Sequence, residues 1–429
     1  MDSISRHFPE AVEWRRSLHR CPQPSWQEFY ATALVAEKLS EWGYEVLQGT
    51  DIIAAEKQLL PPALAVLATE YQRALDAGAK EEFLVPAKGG FTGVVGILKG
   101  ALPGPTVGFR FDIDSNEVQE SADTAHRPAR EGFASQSPGR AHMCGHDAHA
   151  AIGLLLARYF ADNRDAIRGT VKFIFQPNEE NLSGAAAMIA KGVVDDLDYL
   201  FGGHVGLSLR ELGQIAFDVR DFMALARFEV TFSGRPTHAA LSPDQGKNAL
   251  LGSCAAITNL YAIARHGQGA TRINVGVHQA GTAWNVIPDK AYFCLETRGV
   301  SNELNGYMVE KSREVIEGAA KMYDLAVEMK PAAVASVAAN SPDMITLAEK
   351  TAGSLPSVRE IVPCSFNASE DVTLLMERVQ QRGGKALVAV FGTPTGGGHH
   401  NTTFDIDERV IQNAAEFFAA MYGTITAES

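Results

Sequence analysis

The sequence predicts an α/β fold: a mainly parallel sheet, interrupted by a smaller ferredoxin-like α+β insertion. Three observations carry this. Four apolar, strand-like segments each run into Asp, Glu or His: TVGFRFDID, VKFIFQPNEE, DYLFGGHV and ALVAVFGTPTGGGHH. Helical stretches such as HDAHAAIGLLLARYF separate several of them, and strands alternating with helices imply parallel pairing. The middle of the chain then changes to a β-α-β-β-α-β order, the split βαβ unit.

Taken in order, the first helix reads AVEWRRSLHR and stops before Cys21-Pro22. Ser25 and Glu28 have the S-x-x-E spacing of a capping box for the next helix, which runs to Trp42-Gly43. Residues 51–88 break the strand–helix rhythm and read as an insertion with one helix from Leu64 to Ala77. In RFEVTF, Phe228, Val230 and Phe232 alternate with polar residues as in a half-buried strand. The following helix carries Leu250, Cys254, Ile257 and Tyr261 along one predicted face. RINVGVH and KAYFCLETR are strands. A helix with Leu304, Met308 and Ile316 and a short strand LAVEM complete the unit. The predicted organisation is a discontinuous domain of 1–224 and 331–429, with 225–330 inserted as a separate domain.

Composition narrows the function classes. The 429 residues are 46% hydrophobic and 21% charged, which excludes wholesale disorder. Lys+Arg of 38 against Asp+Glu of 51 leaves a formal charge of −13, unsuited to nucleic acid or an anionic membrane. Cys21, Cys144, Cys254, Cys294 and Cys364 are too few and scattered for a disulfide framework, as expected of a cytoplasmic chain. The N-terminus lacks the apolar core of a signal peptide, and no 18-residue apolar run suggests a membrane span.

The polar strand ends carry the chemistry. In His142-Met143-Cys144-Gly145-His146-Asp147, thiolate and imidazole suit zinc and its neighbours. A lone Cys is more often a small buried hydrophobe; the intervening glycine and the helix that starts just after it tilt the balance toward a ligand. Glu179-Glu180 follows Pro177 at a strand end, where an isolated pair usually means a solvated turn. Here a core strand delivers the pair to the sheet edge, so one carboxylate can hold a metal while the other takes a proton from water. His204 in GGHVG and the His399-His400 pair after three glycines complete the set. A closed structural zinc site would be Cys-rich, and the Glu pair argues against one.

These motifs resemble the M20 metallopeptidase clan, in its amidohydrolase (aminoacylase) branch. They are HMCGHDAH at 142–149, FQPNEE at 175–180, GGHVG at 202–206, NVIPD at 285–289, SED at 369–371 and HNTTFDIDE at 400–408. The resemblance spans about residues 10–420. It implies two divalent ions per subunit, Mn²⁺ or Zn²⁺, held by Cys144, His146, Glu180, His204 and His400, with Glu179 as general base. His400 is preferred to His399 because it keeps the H-x3-F-D spacing. Arg110 stands where the wider clan often has a histidine, which assigns Asp112 and Asp114 to support of the ligands. His238 matches a histidine that reaches into a partner subunit's site, and Asn285 and Arg298 match a pair that grips the substrate carboxylate. The resemblance thus implies hydrolysis of an N-acyl amino acid joining an aromatic acyl group to an acidic residue. It implies a homodimer built on the inserted lid and dimerisation domain, or assembly with a paralogous second subunit. Ser115-Asn116 and Asn181-Leu182 depart from the family pattern where they border the site.

Overall fold

The computed structural model describes residues 2–427. In chain order the strands are β1 (Glu45–Gln48), β2 (Val94–Lys99), β3 (Leu102–Asp112), β4 (Arg168–Gln176), β5 (Tyr199–Val205), β6 (Gln214–Ala216), β7 (Val219–Arg220), β8 (Ala224–Ser233), β9 (Thr271–Ala280), β10 (Lys290–Gly299), β11 (Ala326–Ala335), β12 (Glu360–Ile361), β13 (Cys364–Ser365) and β14 (Lys385–Phe391). The chain divides into two compact units: residues 1–220, 338–366 and 371–429, and residues 221–337 with 367–370.

The first unit holds an eight-stranded sheet in the order β1-β2-β4-β3-β5-β14-β6-β12. Its centre, β4-β3-β5-β14, is parallel throughout, and β2 is antiparallel to both neighbours. The α/β expectation holds. Phe109 stacks between Phe173 and Phe201, with ring centroids 5.4 and 5.6 Å away. That aromatic layer lies in one core cluster with the helices His146–Asp162 and Arg409–Ala427. A second cluster joins Ile174, Leu200 and Val388 to helices Gly184–Ile189 and Val372–Gln381. Because the four central strands run the same way, the chain leaves Asp112, Gln176, Val205 and Phe391 at one edge of the sheet.

Two local expectations are corrected. The first helix begins at Asp2, well before Ala11. Ser25 and Glu28 do not form a capping box: the helix starts at Phe29, and Glu28 at its N-cap makes no side-chain cap bond. The Tyr30 N–H donates to Gln23 instead. Ser25 donates to Asp114, and Glu28 accepts from Thr92 and from the backbone of Asn178. Both side chains are buried, where these distant groups need partners more than a helix end that Gln23 already serves. Within 51–88, the helix Leu64–Asp76 seats Leu67 and Ala74 against Phe29 and Ala33.

The second unit is an antiparallel sheet, β11-β8-β10-β9, with helices Ala249–Tyr261 and Asn302–Met322. Phe228, Val230 and Phe232 are buried as the alternation predicts. The expected face of helix Ala249–Tyr261 is wrong. Its buried residues are Ala249, Gly252, Ser253, Ala256 and Leu260, whereas Cys254 is exposed and Tyr261 is 47% exposed. Small residues let this helix approach closely: a Cβ on Gly252 would come within 2.3 Å of Leu325. Leu251 and Tyr261 are left facing outward.

Candidate metal centre

The centre is built on the carboxyl edge of the parallel strands. Cys144 and His146 flank Gly145, which has φ +92° and caps helix His146–Asp162. A Cβ there would meet Val205 at 2.7 Å, so only glycine makes the turn and the close approach together. Cys144 Sγ lies 3.6 Å from His204 Nε2. The Nδ1 of His204 donates to the Val205 carbonyl, which leaves Nε2 as the lone-pair nitrogen facing Cys144. His146 Nδ1 donates to Asp114 at 3.1 Å. Among the described residues its Nε2 is buried with no hydrogen-bond partner, 3.8 Å from a Glu179 oxygen and 3.8 Å from Glu180 Oε1. Glu180 Oε1 is itself buried without a hydrogen-bond partner among the described residues, while Oε2 lies 3.3 Å from His400 Nε2.

These orphaned atoms test whether a metal fits. A buried imidazole nitrogen and a buried carboxylate oxygen that face each other without partners are costly unless something sits between them. Cys144, Glu180 and His400 offer atoms all within 4.8 Å of one another, as do His146, Glu179 and Glu180. The donor set of thiolate, imidazole and carboxylate suits a divalent transition metal. The chain therefore fits the ions that the resemblance implies.

Electrostatics divide the candidate ligands into two groups. Burial works against ionising Glu180, yet His400 and His146 hold its carboxyl down to about 2. Its bond to Cys144, then that to Glu180, pushes His400 up to about 10. Burial raises the Cys144 thiol, and burial with neighbouring His149 keeps His204 well below the usual histidine range. Neutral His204 and ionised Glu180 are already the forms a metal would select, whereas Cys144 and His400 would each release a proton to it.

The two adjacent histidines differ. His400 has φ +58°, its N–H donates to the Met143 carbonyl at 2.7 Å, and its Nε2 faces Glu180. His399 Nε2 instead lies 3.1 Å from the Val205 carbonyl, although it also groups with Cys144 and His204. Asn116 joins the strand end to both motifs: its Oδ1 accepts from the Met143 N–H, and its Nδ2 lies 3.4 Å from His400.

His149 is a residue that the motif contains but sequence reasoning left without a role. Its Nδ1 sits 2.5 Å from Asp112, and its Nε2 accepts the Val205 N–H at 3.1 Å. That lone pair is occupied, so His149 anchors the backbone beside His204. Its place three residues beyond His146 on one helix was the available signal. Asp112 also accepts from Arg110, whose guanidinium reaches Gln176 and Asp371 of the SED motif.

In the second unit, His238 and Asn285 come together. Their side-chain nitrogens are 3.5 Å apart, and Ala239 N donates to the Asn285 carbonyl. His238 Nδ1 accepts from the N–H groups of Ala240 and Leu241. Arg298 is elsewhere. Its Nε donates to Glu296 at 2.7 Å. Lys290, next to the Asn285 loop, pairs with Ser233, whereas Arg298 pairs with Leu225 at the other end of β10. Eight residues of strand span about 27 Å. The expectation that Asn285 and Arg298 of one chain grip a single carboxylate is thereby corrected: β10 carries Arg298 away from the loop.

Comparison with known proteins accords with this geometry. The model of "Peptidase family M20/M25/M40" matches residues 108–423. An indole-3-acetyl-aspartic acid hydrolase from Enterobacter agglomerans is 43% identical over 97% of this chain and 96% of its own. One of the subunits of p-aminobenzoyl-glutamate hydrolase from Escherichia coli is 40% identical over 96% and 94%. The crystal structure of an aminobenzoyl-glutamate utilization protein from Klebsiella pneumoniae superposes with a TM-score of 0.83 at 36% identity, covering 98% of this chain and 96% of that one. With thiolate, imidazole and paired carboxylates converging at one sheet edge, and relatives that match nearly end to end, the chain belongs to peptidase family M20/M25/M40, metal-dependent hydrolases of amide bonds.

Proposed function

We propose that the chain cleaves the amide between an aromatic acyl group and an acidic amino acid, with p-aminobenzoyl-glutamate as the first substrate to test. The observation that carries the reading is the facing pair of orphaned atoms, His146 Nε2 and Glu180 Oε1, with Glu179 beside them. Two divalent ions, Mn²⁺ or Zn²⁺, would be held by Cys144, His146, Glu180, His204 and His400. When bound, such ions polarise a carbonyl and lower the pKa of water. Glu179, almost fully buried beside that centre, takes the proton from water and delivers it to the leaving nitrogen. Asp114 and Asp112 orient the imidazoles of His146 and His149.

The second unit supplies recognition. His238 stabilises developing negative charge in the site of a second copy, and Asn285 accompanies it. Arg298 binds the substrate carboxylate. Since Arg298 and Asn285 lie at opposite ends of β10, the two meet on one substrate only if different copies contribute them. The outward apolar face of helix Ala249–Tyr261, with Leu251 and Tyr261 exposed, supports pairing of two copies through this unit. The Escherichia coli relative is named as one of its hydrolase's subunits, which supports a paralogous partner as the alternative assembly. A second substrate reading, indole-3-acetyl-aspartate, rests on the 43% identity with the hydrolase so named.

The test is the purified chain alone, chelated and then reloaded with Mn²⁺ or Zn²⁺. It is assayed on p-aminobenzoyl-glutamate, indole-3-acetyl-aspartate and N-benzoyl-glycine. Metal-dependent turnover that favours the acidic conjugates supports the reading. Full activity after exhaustive chelation, or a preference for the glycine conjugate, refutes it.

A further inference from the structure

Glu28 lies outside every motif that carries the metal chemistry, yet it is fully buried. Its two oxygens accept from Thr92 Oγ1 at 2.6 Å and from the Asn178 N–H at 2.8 Å. Asn178 directly precedes Glu179 and has φ +55°, in the left-handed region that non-glycine residues seldom occupy. The turn it opens, from Pro177 to Gly184, folds back on itself. Leu182 N donates to the Glu179 carbonyl, and the N–H groups of Ser183 and Gly184 both donate to the Asn178 carbonyl. A Cβ on Gly184 would lie 1.7 Å from the Pro177 carbonyl oxygen, so the turn is closed tightly at its base.

Three buried carboxylates hold three further N–H groups in and just after the turn. Glu28 takes Asn178 N, Asp114 takes Glu180 N, and Asp371 takes Ala185 N. Asp114 also bonds His146, and Asp371 bonds Arg110 and Gln176, so each has other work at the centre. Glu28 reaches the centre through the Asn178 backbone. Burial, with the charge of Asp114 behind it, pushes its carboxyl up to about 8. A protonated carboxyl still offers one oxygen to the Asn178 N–H; its O–H then donates to Thr92 Oγ1, whose own proton turns to the Gly90 carbonyl at 3.5 Å.

We propose that Glu28 is a positioning residue for the hydrolytic step: by accepting the Asn178 N–H it locks the left-handed start of the turn and so fixes where Glu179 and Glu180 point. The proposal rests on Glu179 acting as the base. Without the acceptor, a buried N–H loses its partner and Asn178 relaxes toward ordinary backbone angles, turning the Glu179 side chain. A displacement of about 1 Å in a catalytic group costs on the order of 10²-fold in rate.

The experiment compares Glu28→Leu, which keeps volume but removes the acceptor, with Glu28→Gln, which keeps an acceptor oxygen and has an amide to donate to Thr92. In the metal-free protein, amide exchange in the peptide 177–184 should rise about tenfold or more in the Leu variant and stay as wild type in the Gln variant. In the reloaded enzyme, kcat per folded chain should fall about 10²-fold for Leu with KM within about threefold, and Gln should restore it. A part played in stability alone would lower the thermal midpoint and leave kcat per folded chain unchanged; that result overturns the proposal. So does a Gln variant as impaired as Leu. Should Glu28→Leu fail to fold, Thr92→Val removes the other partner of the same carboxyl. It should raise exchange in 177–184 and lower kcat about fivefold, and wild-type values for both overturn the proposal. Glu179→Gln separates the two readings. Wild-type kcat in that variant sinks the base assignment, whereas an inactive Glu179→Gln beside a fully active Glu28→Leu sinks the role of Glu28 alone.

Discussion

Replacing Asp114 by Asn changes one atom and sets two requirements against each other. One carboxylate oxygen of Asp114 accepts from His146 Nδ1 at 3.1 Å; the other accepts from Ser25 Oγ and from the Glu180 N–H, each at 3.0 Å. An amide has one acceptor oxygen. If it faces Ser25 and Glu180, the NH₂ faces His146 and demands a lone pair on Nδ1. That moves the imidazole proton to Nε2, the nitrogen that faces Glu179 and Glu180 and would hold the metal. If the oxygen faces His146, the NH₂ opposes the Glu180 N–H and pushes the ligand turn away. Either arrangement weakens the centre without touching a ligand. Loss of such a supporting partner costs about 10–100-fold in metal affinity, or roughly 1.4–2.8 kcal/mol. The assay is titration of the chelated variant with Zn²⁺ or Mn²⁺ against a competing chelator, beside the wild type. A dissociation constant within about twofold of wild type would refute the tautomer argument. Asp112→Asn tests its specificity: Asp112 bonds His149, whose Nε2 already accepts the Val205 N–H, so its effect on affinity should be smaller.

The remaining predictions concern base, assembly and stability. Glu179→Gln should keep the metals and lose about 10²–10⁴-fold in kcat, whereas Glu180→Gln should lose metal by elemental analysis; matching metal content in the two variants would undo the division of labour. Mixing His238→Ala with Glu179→Gln, each inactive, should restore turnover through hybrid dimers, and no recovery despite proven exchange of chains would rule out action between copies. Arg15 is fully buried against Asp147, Asp405 and Glu408 at 2.7, 2.9 and 3.3 Å. Arg15→Met leaves Asp147 with His19, and Asp405 and Glu408 with Arg127 and Arg16, and should cost about 3 kcal/mol in urea unfolding. Burial opposes ionisation in this cluster, yet Arg15 holds Asp147 well below the carboxylate range and Asp405 down to about 2. Depressed carboxylates stabilise the fold above their unfolded pKa and lose that contribution as pH falls through the folded value. The contribution of this cluster should thus be flat near neutrality and be lost below about pH 4, with the acid limb shallower in Arg15→Met.

What the sequence by itself determined is the set of residues and the edge on which they meet. Alternating strands and helices imply parallel pairing. Parallel strands leave their carboxyl ends on one side, so Asp112, Glu179, His204 and His400 were destined for one place by chain direction alone. Residue chemistry then marked Cys144, His146, Glu179-Glu180, His204 and His399-His400 as candidate ligands. The family resemblance divided roles that spacing left open, such as base against ligand in Glu179-Glu180. The tertiary structure decided the rest. Periodicity told which side chains share a face of helix Ala249–Tyr261, but not which face is buried. Leu325, which presses on Gly252, lies 73 residues further along the chain. Ser25 and Glu28 read locally as a helix cap, yet their partners Asp114 and Asn178 stand 89 and 150 residues away. Asn285 and Arg298 looked close because they are near in sequence, and an extended strand of about 3.3 Å per residue is the physical reason they are not. Local spacing encodes direction and face. Which distant group satisfies a buried atom is settled only when the whole chain has packed.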